Sequence, residues 1–539
     1  MKKLFLLLAR PVFFGASCCL CLATAFAQAP TIQWQNNIGG SGIEQVYCIQ
    51  RTQDLGYVIG GHSSSNISGD KSENCLGGYD YWIVKLDSTG NIQWQNTIGG
   101  NDAEDMRCIR QTTDGGYILG GSSLSNISGD KTENSIGSYD YWVVKLNSSG
   151  NIQWQNTIGG GGTDRLYAAL QTFDGGYIIG GYSGSGISGD KTENSNGSYD
   201  YWVLKLDTIG NIIWQNTIGG NQIENLQSIY QATDGGYILG GSSNSNISGD
   251  KSENSLGLSD YWIVKLDSLG NIQWQNTIGG SDDDSFRSIE QTADGGYFLG
   301  GFSRSNSSVD KTENCFGNWD YWVVKTDSSG NIVWDNTIGG SDIDNLYSIQ
   351  QTFDGSYLLT GESVSNISGE KTENSNGDYD YWIIKLNASG NNLWQNTIGG
   401  NSFDYGYFGQ QTVDGGYIVV GFSGSNISGD KTENSQGGSD YWVIKLAPDS
   451  ITGIIHHQNQ YQISIYPNPA EEYFELRIAD FELNNKYTLT ITDLLGNLIF
   501  ESEIRNPESE ILTSFLTPGM YIIKVYSDKG VFQQKLIVN

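Results

Sequence analysis

Histidine is nearly missing from this chain: there are three in 539 residues, and two of them, His456 and His457, adjoin each other near the C-terminal end. Only His62 remains for everything before them, which excludes a His-based triad or a His-rich metal site there. Basic residues are scarce as well, 29 Lys and Arg against 60 Asp and Glu, for a formal net charge of −31. Nucleic acid and anionic membrane surfaces are excluded as partners, since phosphate binding needs clustered Lys and Arg. After residue 27 no apolar run is long enough for a transmembrane helix. The N-terminal apolar run follows Met1-Lys2-Lys3, is interrupted at Arg10-Pro11 and ends on Ala25-Phe26-Ala27, the pattern of a secretory signal (1–27) cut near Ala27. Cys18, Cys19 and Cys21 lack a suitable apolar residue three positions before them, which a lipoprotein signal needs.

Four cysteines follow that cut. Cys48 and Cys108 occupy one repeat position 60 residues apart, and Cys75 and Cys315 share another at which the other copies have Ser. Sporadic exchange of Cys for Ser argues for free thiols, with a Cys48–Cys108 bridge left open.

What is abundant is repetition. Trp34, Trp94, Trp154, Trp214, Trp274, Trp334 and Trp394 are spaced by 60, as are Trp82, Trp142, Trp202, Trp262, Trp322, Trp382 and Trp442. Seven units of 60 residues run from 31 to 450 without an insertion. Each carries four strand-like segments divided by turn signals; in the second unit these are 106–112, 117–123, 141–147 and 151–158. Four antiparallel strands repeated seven times predict an all-β, seven-bladed β-propeller over 31–447. The array begins with a lone fourth strand (31–38) and ends on a third strand (441–450), so the first segment is expected to complete the last blade and close the ring. The fourteen periodic Trp are expected in the core, and Trp319, in a loop, is the candidate exposed aromatic.

Antiparallel order places the short "DGG" and "SSGN" turns on one face and the long "SNISGDKTENS" loops with the Gly-rich links on the other. One link position is acidic in every unit: Glu44, Glu104, Asp164, Glu224, Asp284, Asp344 and Asp404. Like charges about 10 Å apart repel by about 1.7 kcal/mol at an effective dielectric of 20. Such a ring is therefore read either as acceptors for backbone N–H groups of the links or as a ligand or ion site at a channel mouth. A second position varies within an aromatic and polar set, Tyr47, Arg107, Tyr167, Gln227, Arg287, Tyr347 and Tyr407, and is the candidate recognition wall of the channel. In the long loop, Asp70, Glu73, Asn74 and Asp80 offer hard oxygen ligands, so calcium is the possible ion, although the recurring Lys71 would compete with it. No other cofactor is expected. Asp207-Thr-Ile and Asp267-Ser-Leu resemble a short O-glycosylation motif.

Three resemblances add to this reading. "LDSTGNIQW" (86–94) is similar to the tryptophan-docking hairpin of quinoprotein propellers, which implies Trp wedged between blades. "GGYDYWIVKLD" (77–87) resembles repeats of exported proteins from gliding and related Bacteroidetes. After a linker (448–460), residues 461–539 alternate as a small immunoglobulin-like β-sandwich. Four motifs stand there in order: Tyr466-Pro467-Asn468-Pro469, Asp493-Leu494-Leu495-Gly496, Pro518-Gly519-Met520-Tyr521 and Lys535-Leu536-Ile537-Val538. They resemble the type A C-terminal sorting domain of the type IX secretion system, which implies engagement of that machinery and a secreted or outer-membrane-surface location. The expectation is a monomeric, non-catalytic binding or adhesion protein that meets a glycan or exported surface protein through its long-loop face. The alternatives are a polysaccharide hydrolase or lyase using channel-mouth carboxylates, and a structural coat protein.

Overall fold

The structure, a computed structural model, describes residues 28–449 and, beyond them, strands and adjoining residues between 463 and 538. The signal segment 1–27, most of the linker 448–460, and motif residues 467–469, 493–496 and 518 lie outside the described residues. The chain divides into two compact units, before and after residue 450.

The first unit is a β-propeller architecture of seven four-stranded antiparallel sheets. In the first sheet, strand a is Glu44–Arg51, b is Tyr57–Ser63, c is Asp80–Leu86 and d is Ile92–Ile98, paired in that order. The next five sheets repeat this at intervals of 60 residues. Strands b and c are buried along their whole length, which is why they read as nearly continuous apolar runs. In the a–b turn of the second sheet, Asp114 accepts the Gly116 N–H at 3.0 Å and Lys145 Nζ at 2.9 Å. Lys145 would otherwise be a buried unpaired charge.

No sheet owns a core. One hydrophobic cluster joins Val58, Tyr81 and Ile83 of the first sheet to Met106, Leu119 and Trp142 of the second. The c-strand tyrosines bridge each junction. Tyr81 packs on Trp142 with ring centroids 4.9 Å apart and donates its hydroxyl hydrogen to the Trp142 carbonyl at 3.2 Å. Tyr141, Tyr201, Tyr261, Tyr321 and Tyr381 do the same at 3.0–3.1 Å. The other Trp set wedges between sheets from the outside: Trp94 meets Tyr117 of the next sheet edge-on at 5.7 Å.

The seventh sheet consists of Asp404–Gln411, Tyr417–Ser423, Asp440–Leu446 and, as its fourth strand, Ile32–Ile38. Ile38 pairs with Tyr441 and Asn36 with Val443. The last sheet also touches the first: Ile418, Val420 and Tyr441 share a cluster with Val46, Ile59 and Trp82, and Tyr441 donates to the Trp82 carbonyl at 3.2 Å.

In the C-terminal unit, Ile463–Tyr466, Tyr473–Ile478 and Glu508–Leu512 form one sheet. Leu498–Ile504, Tyr487–Thr492, Gly519–Ser527 and Gly530–Val538 form a second. Phe474 and Leu476 of the first share a core with Leu489, Ile491, Ile523 and Leu536 of the second, making a two-sheet sandwich.

The d–a links carry a paired glycine with a steric reason. A Cβ on Gly99 would lie 1.9 Å from Asp80 Oδ1, whereas one on Gly78 would meet nothing nearer than 3.6 Å. Gly99→Ala is expected to cost about 1–3 kcal/mol by overpacking, and Gly78→Ala close to nothing, as measured by urea denaturation of the two variants.

Candidate functional site

The seven link acids do not face a channel. Glu44, Glu104, Asp164, Glu224, Asp284, Asp344 and Asp404 are all fully buried. Each accepts the N–H of the second link glycine, four residues before it, at 2.6–2.9 Å. Serine hydroxyls near the end of strand b add to this, Ser63 and Ser65 donating to Glu44 at 2.7 and 2.6 Å, whereas Asp284, Asp344 and Asp404 keep a buried Oδ1 without a hydrogen-bond partner. The ligand-ring alternative is thereby corrected: these acids hold the link against its own sheet.

Each also neighbours the aspartate that opens strand c of the preceding sheet, as in Asp80 with Glu104, Asp140 with Asp164, and Asp440 with Glu44. That aspartate accepts a nearby backbone N–H on Oδ2, such as that of Ile136 at 2.6 Å, and leaves a buried Oδ1 without a hydrogen-bond partner. Burial, reinforced by the neighbouring carboxyl, pushes Glu104 up to about 7, Asp140 to about 6, Asp200 to about 7 and Asp380 to about 7. Each pair is suited to sharing one proton.

The calcium ligand set does not assemble. Asp70 accepts Gly39 N–H at 3.2 Å, Glu73 accepts Thr97 N–H at 2.6 Å and Asn74 accepts Ile67 N–H at 3.1 Å, while Asp80 holds the Leu76 N–H. Among the described residues no three His, Cys, Asp or Glu side chains are grouped to hold a metal ion. The competing Lys71 is buried against the Trp82 ring, 5.4 Å from its centroid, with Nζ bonded to Thr97 Oγ1. The loop is thus stapled by its own polar groups. Trp319 is half-buried rather than exposed, with Arg304 4.9 Å from its ring centroid and Phe302 edge-on at 5.1 Å. All four cysteines are free, and burial pushes the Cys48 thiol up to about 12. Cys315 Sγ bonds the Ser303 carbonyl at 3.0 Å, the role of Ser135 Oγ toward Ser123, which explains the Cys-for-Ser exchange.

The variable wall does come together. Tyr47, Arg107, Tyr167, Gln227, Arg287, Tyr347 and Tyr407 all line one cavity of about 700 Å³. Strand pairing explains how. Val46 pairs with Gly61 and Cys48 with Gly60, so Tyr47 is the extra residue of a β-bulge; the bulge recurs in every sheet. A bulge frees one side chain from the in-out alternation and re-aims it. The bulge side chains then touch in series. Arg107 lies over Tyr47 at 4.4 Å and Tyr167 at 5.2 Å, Tyr47 meets Tyr407 at 5.2 Å, and Tyr407 stacks on Tyr347 at 4.5 Å. Beneath them, Asp105 pairs with Arg107 at 2.7 Å and Arg165 at 2.9 Å, and Glu362, pushed up to about 8 by burial, accepts from Tyr347 at 3.0 Å.

From this floor the cavity walls rise along strand a toward the a–b turns, through Gln50, Arg110, Tyr230, Glu290, Gln350 and Gln410. The cavity is therefore a cup on the tight-turn side, opposite the long loops expected to carry recognition. Phe173 and Phe353, on the a–b turns, are 74% and 70% exposed. The Gln50-type position was missed in the sequence, although Gln, Arg, Leu, Tyr, Glu, Gln and Gln succeed one another there. Variation within an otherwise constant repeat was the signal.

Comparison with known proteins identifies the C-terminal unit: residues 464–539 match the family described as the secretion system C-terminal sorting domain. The chain is accordingly an export substrate, placed at the cell surface or released. Among curated proteins, the regulatory protein FlaEY of Caulobacter vibrioides is 21% identical over 283 residues, 47% of this chain and 29% of that one. The chain thus spans less than a third of that relative's length. Among solved structures, the WD40 domain of Neurospora crassa Pan2 matches with 9% identity and a TM-score of 0.42 over 79% of this chain and 99% of that one. PorZ, a surface component of the type IX secretion system of Porphyromonas gingivalis, matches with 10% identity and a TM-score of 0.24 over 93% and 85%.

The buried pairs generate a pH prediction. Their raised pKa values mean that the folded chain keeps protons which the unfolded chain releases between about pH 4 and 7, so their contribution to stability falls as pH rises through that window. The first unit is expected to melt higher at about pH 5.5 than at about pH 7.5. Asp140→Asn, which can donate to Asp164 without a shared proton, is expected to reduce this dependence, read by calorimetry across pH.

Proposed function

We propose that this is an exported, non-catalytic binding protein, built as a closed seven-bladed propeller, that takes an asymmetric ligand in its axial cup. The ligand is a glycan or a segment of an exported surface protein. One observation carries the reading: seven nearly identical units place a variable residue on a β-bulge, and all seven bulge residues line one cavity. Exposed aromatics on the same side, Phe173 and Phe353, suit stacking on sugar rings. The type IX machinery is the partner through the sorting domain. A hydrolase or lyase reading is less well supported, because the link carboxylates are engaged in structural hydrogen bonds. Closure is supported by the pairing of Ile32–Ile38 with Asp440–Leu446 and by the Tyr441–Trp82 contact.

Glycan-array binding, followed by turnover assays on the sugars bound, tests this. Tyr167→Ala is expected to weaken binding by about tenfold or more. Ile127→Ser, at the 61%-exposed tip of a long loop, is expected to change nothing. Loss of binding with the loop variant and not with the cup variant overturns the reading, as does product formation. Closure has its own check: deleting residues 28–38 is expected to abolish hydrogen-exchange protection of the alternate 441–446 amides that point to Ile32–Ile38 rather than to Tyr417–Ser423, and retained protection of that set overturns the closed ring.

A further inference from the structure

Several hydrogen-bond donors that line the cup have no acceptor among the described residues. Gln50 Oε1 accepts the Gln111 N–H, Gln350 Oε1 accepts the Gln411 N–H at 2.7 Å, and Gln410 Oε1 accepts the Arg51 N–H at 3.0 Å. In each case the neighbouring sheet's backbone requires the amide oxygen, which fixes the orientation of the side chain. None of the three NH₂ groups has an acceptor among the described residues. Arg110 crosses to Phe408, 5.6 Å from the ring centroid, and bonds only the Ile109 carbonyl, at 2.9 Å. Neither Arg110 nor Arg287 forms an ion pair among the described residues. The lining as a whole holds three arginines and one glutamate, in a chain whose formal net charge is −31.

Resting on the cup as the binding site, we propose that its ligand bears a carboxylate on a sugar ring: a sugar acid, at the end of or within a short oligosaccharide. A carboxylate supplies the acceptors that the guanidinium and amide donors lack. The tyrosine faces of the floor suit the C–H faces of a pyranose ring. The strongly negative chain repels extended polyanions at long range, so one or two charges fit better than a highly charged polymer.

Glu290 tunes this. It stands in the ring of Gln50, and its Oε2 accepts the Gln351 N–H at 2.7 Å as the glutamine oxygens do. Burial pushes it up to about 7. Tyr230 and Tyr357 face it from neighbouring strands, and Arg107, Arg110 and Arg287 share the cavity. Below that pH it is neutral and its free oxygen carries a proton, a further donor; above it, a negative charge opposes the ligand.

The test is titration calorimetry of the mature full-length chain with short oligomers of glucuronate, galacturonate and mannuronate and with N-acetylneuraminate, each paired with its methyl ester. At least one acid is expected to bind, about tenfold or more tighter than its ester. Arg110→Gln should shrink that difference, lowering acid binding more than ester binding, with the melting temperature unchanged. Glu290→Gln should bind at about pH 8 as the parent does at about pH 6. If esters bind as tightly as acids and Tyr167→Ala abolishes both, the sugar-acid inference fails and the cup stands. If no acid binds, or if binding ignores every cup variant, the inference fails, and in the latter case the cup reading fails with it.

Discussion

Every sheet in the first unit has to bury its two faces against neighbours, because none contains enough of a core to stand alone. The clusters make this concrete. Tyr81 and Ile83 of one sheet are covered by Leu119 and Trp142 of the next, and Tyr81 reaches the Trp142 carbonyl, satisfying a phenol hydroxyl that burial would otherwise leave unpaired. A linear array would leave two sheet faces wet, one at each end. The N-terminal strand Ile32–Ile38 is therefore not an appendage. It brings Trp34 to the Tyr57 ring at 6.2 Å, the contact that Trp94 makes with Tyr117 at every other junction.

That constraint also explains the polar residues buried with the apolar ones. The links between sheets are short and cross a dry junction, so their N–H groups need acceptors, and the chain supplies carboxylates and serines. Placing Glu104 beside Asp80 concentrates negative charge there, and raised pKa values are the physical answer: a proton is cheaper to retain than two buried charges are to hold apart. Lys71 and its equivalents, buried over the Trp82-type ring, lie near enough to moderate the remaining charge.

Much of the architecture was legible from one sequence because the repeat acts as its own alignment. Strand c was expected over 141–147 and is Asp140–Leu146; strand b was expected over 117–123 and is Tyr117–Ser123. Strand a begins two residues earlier than expected, at Glu104, because the link acid itself enters the ladder opposite Ser123. The site was less legible. The acidic position was correctly singled out as constant, but constancy in a repeat marks framework, and burial of Glu44 and its six equivalents follows from that. The side of the disc that holds the cup was missed for a different reason. Long polar loops suggest recognition, yet here Asp70, Glu73 and Asn74 are occupied in tying down the loop, which leaves few polar groups free. The bulge at Tyr47 has no signature of its own in composition, and a regular strand would have sent that side chain elsewhere.

The bulge reconciles sameness with specificity. A propeller assembled from near-copies gains stability by repeating one junction, and any residue in that junction is constrained by both sheets it touches. Tyr47 and its equivalents escape the constraint because the extra residue in strand a has no partner opposite it in strand b. Its side chain is free to meet the other bulge residues around the cavity, as the contacts from Tyr167 through Arg107, Tyr47 and Tyr407 to Tyr347 demonstrate. A second variable position lies three residues further along the strand, and it is paired with strand b, as Gln50 is with Val58. Gln50, Arg110 and Glu290 can differ because the neighbouring backbone N–H asks at most for one oxygen, which Gln and Glu both provide and which Arg110 forgoes. Specificity in such a fold gathers where the pairing rule is locally suspended and at the variable position three residues on, and both sets line one cavity because strand a of every sheet faces it.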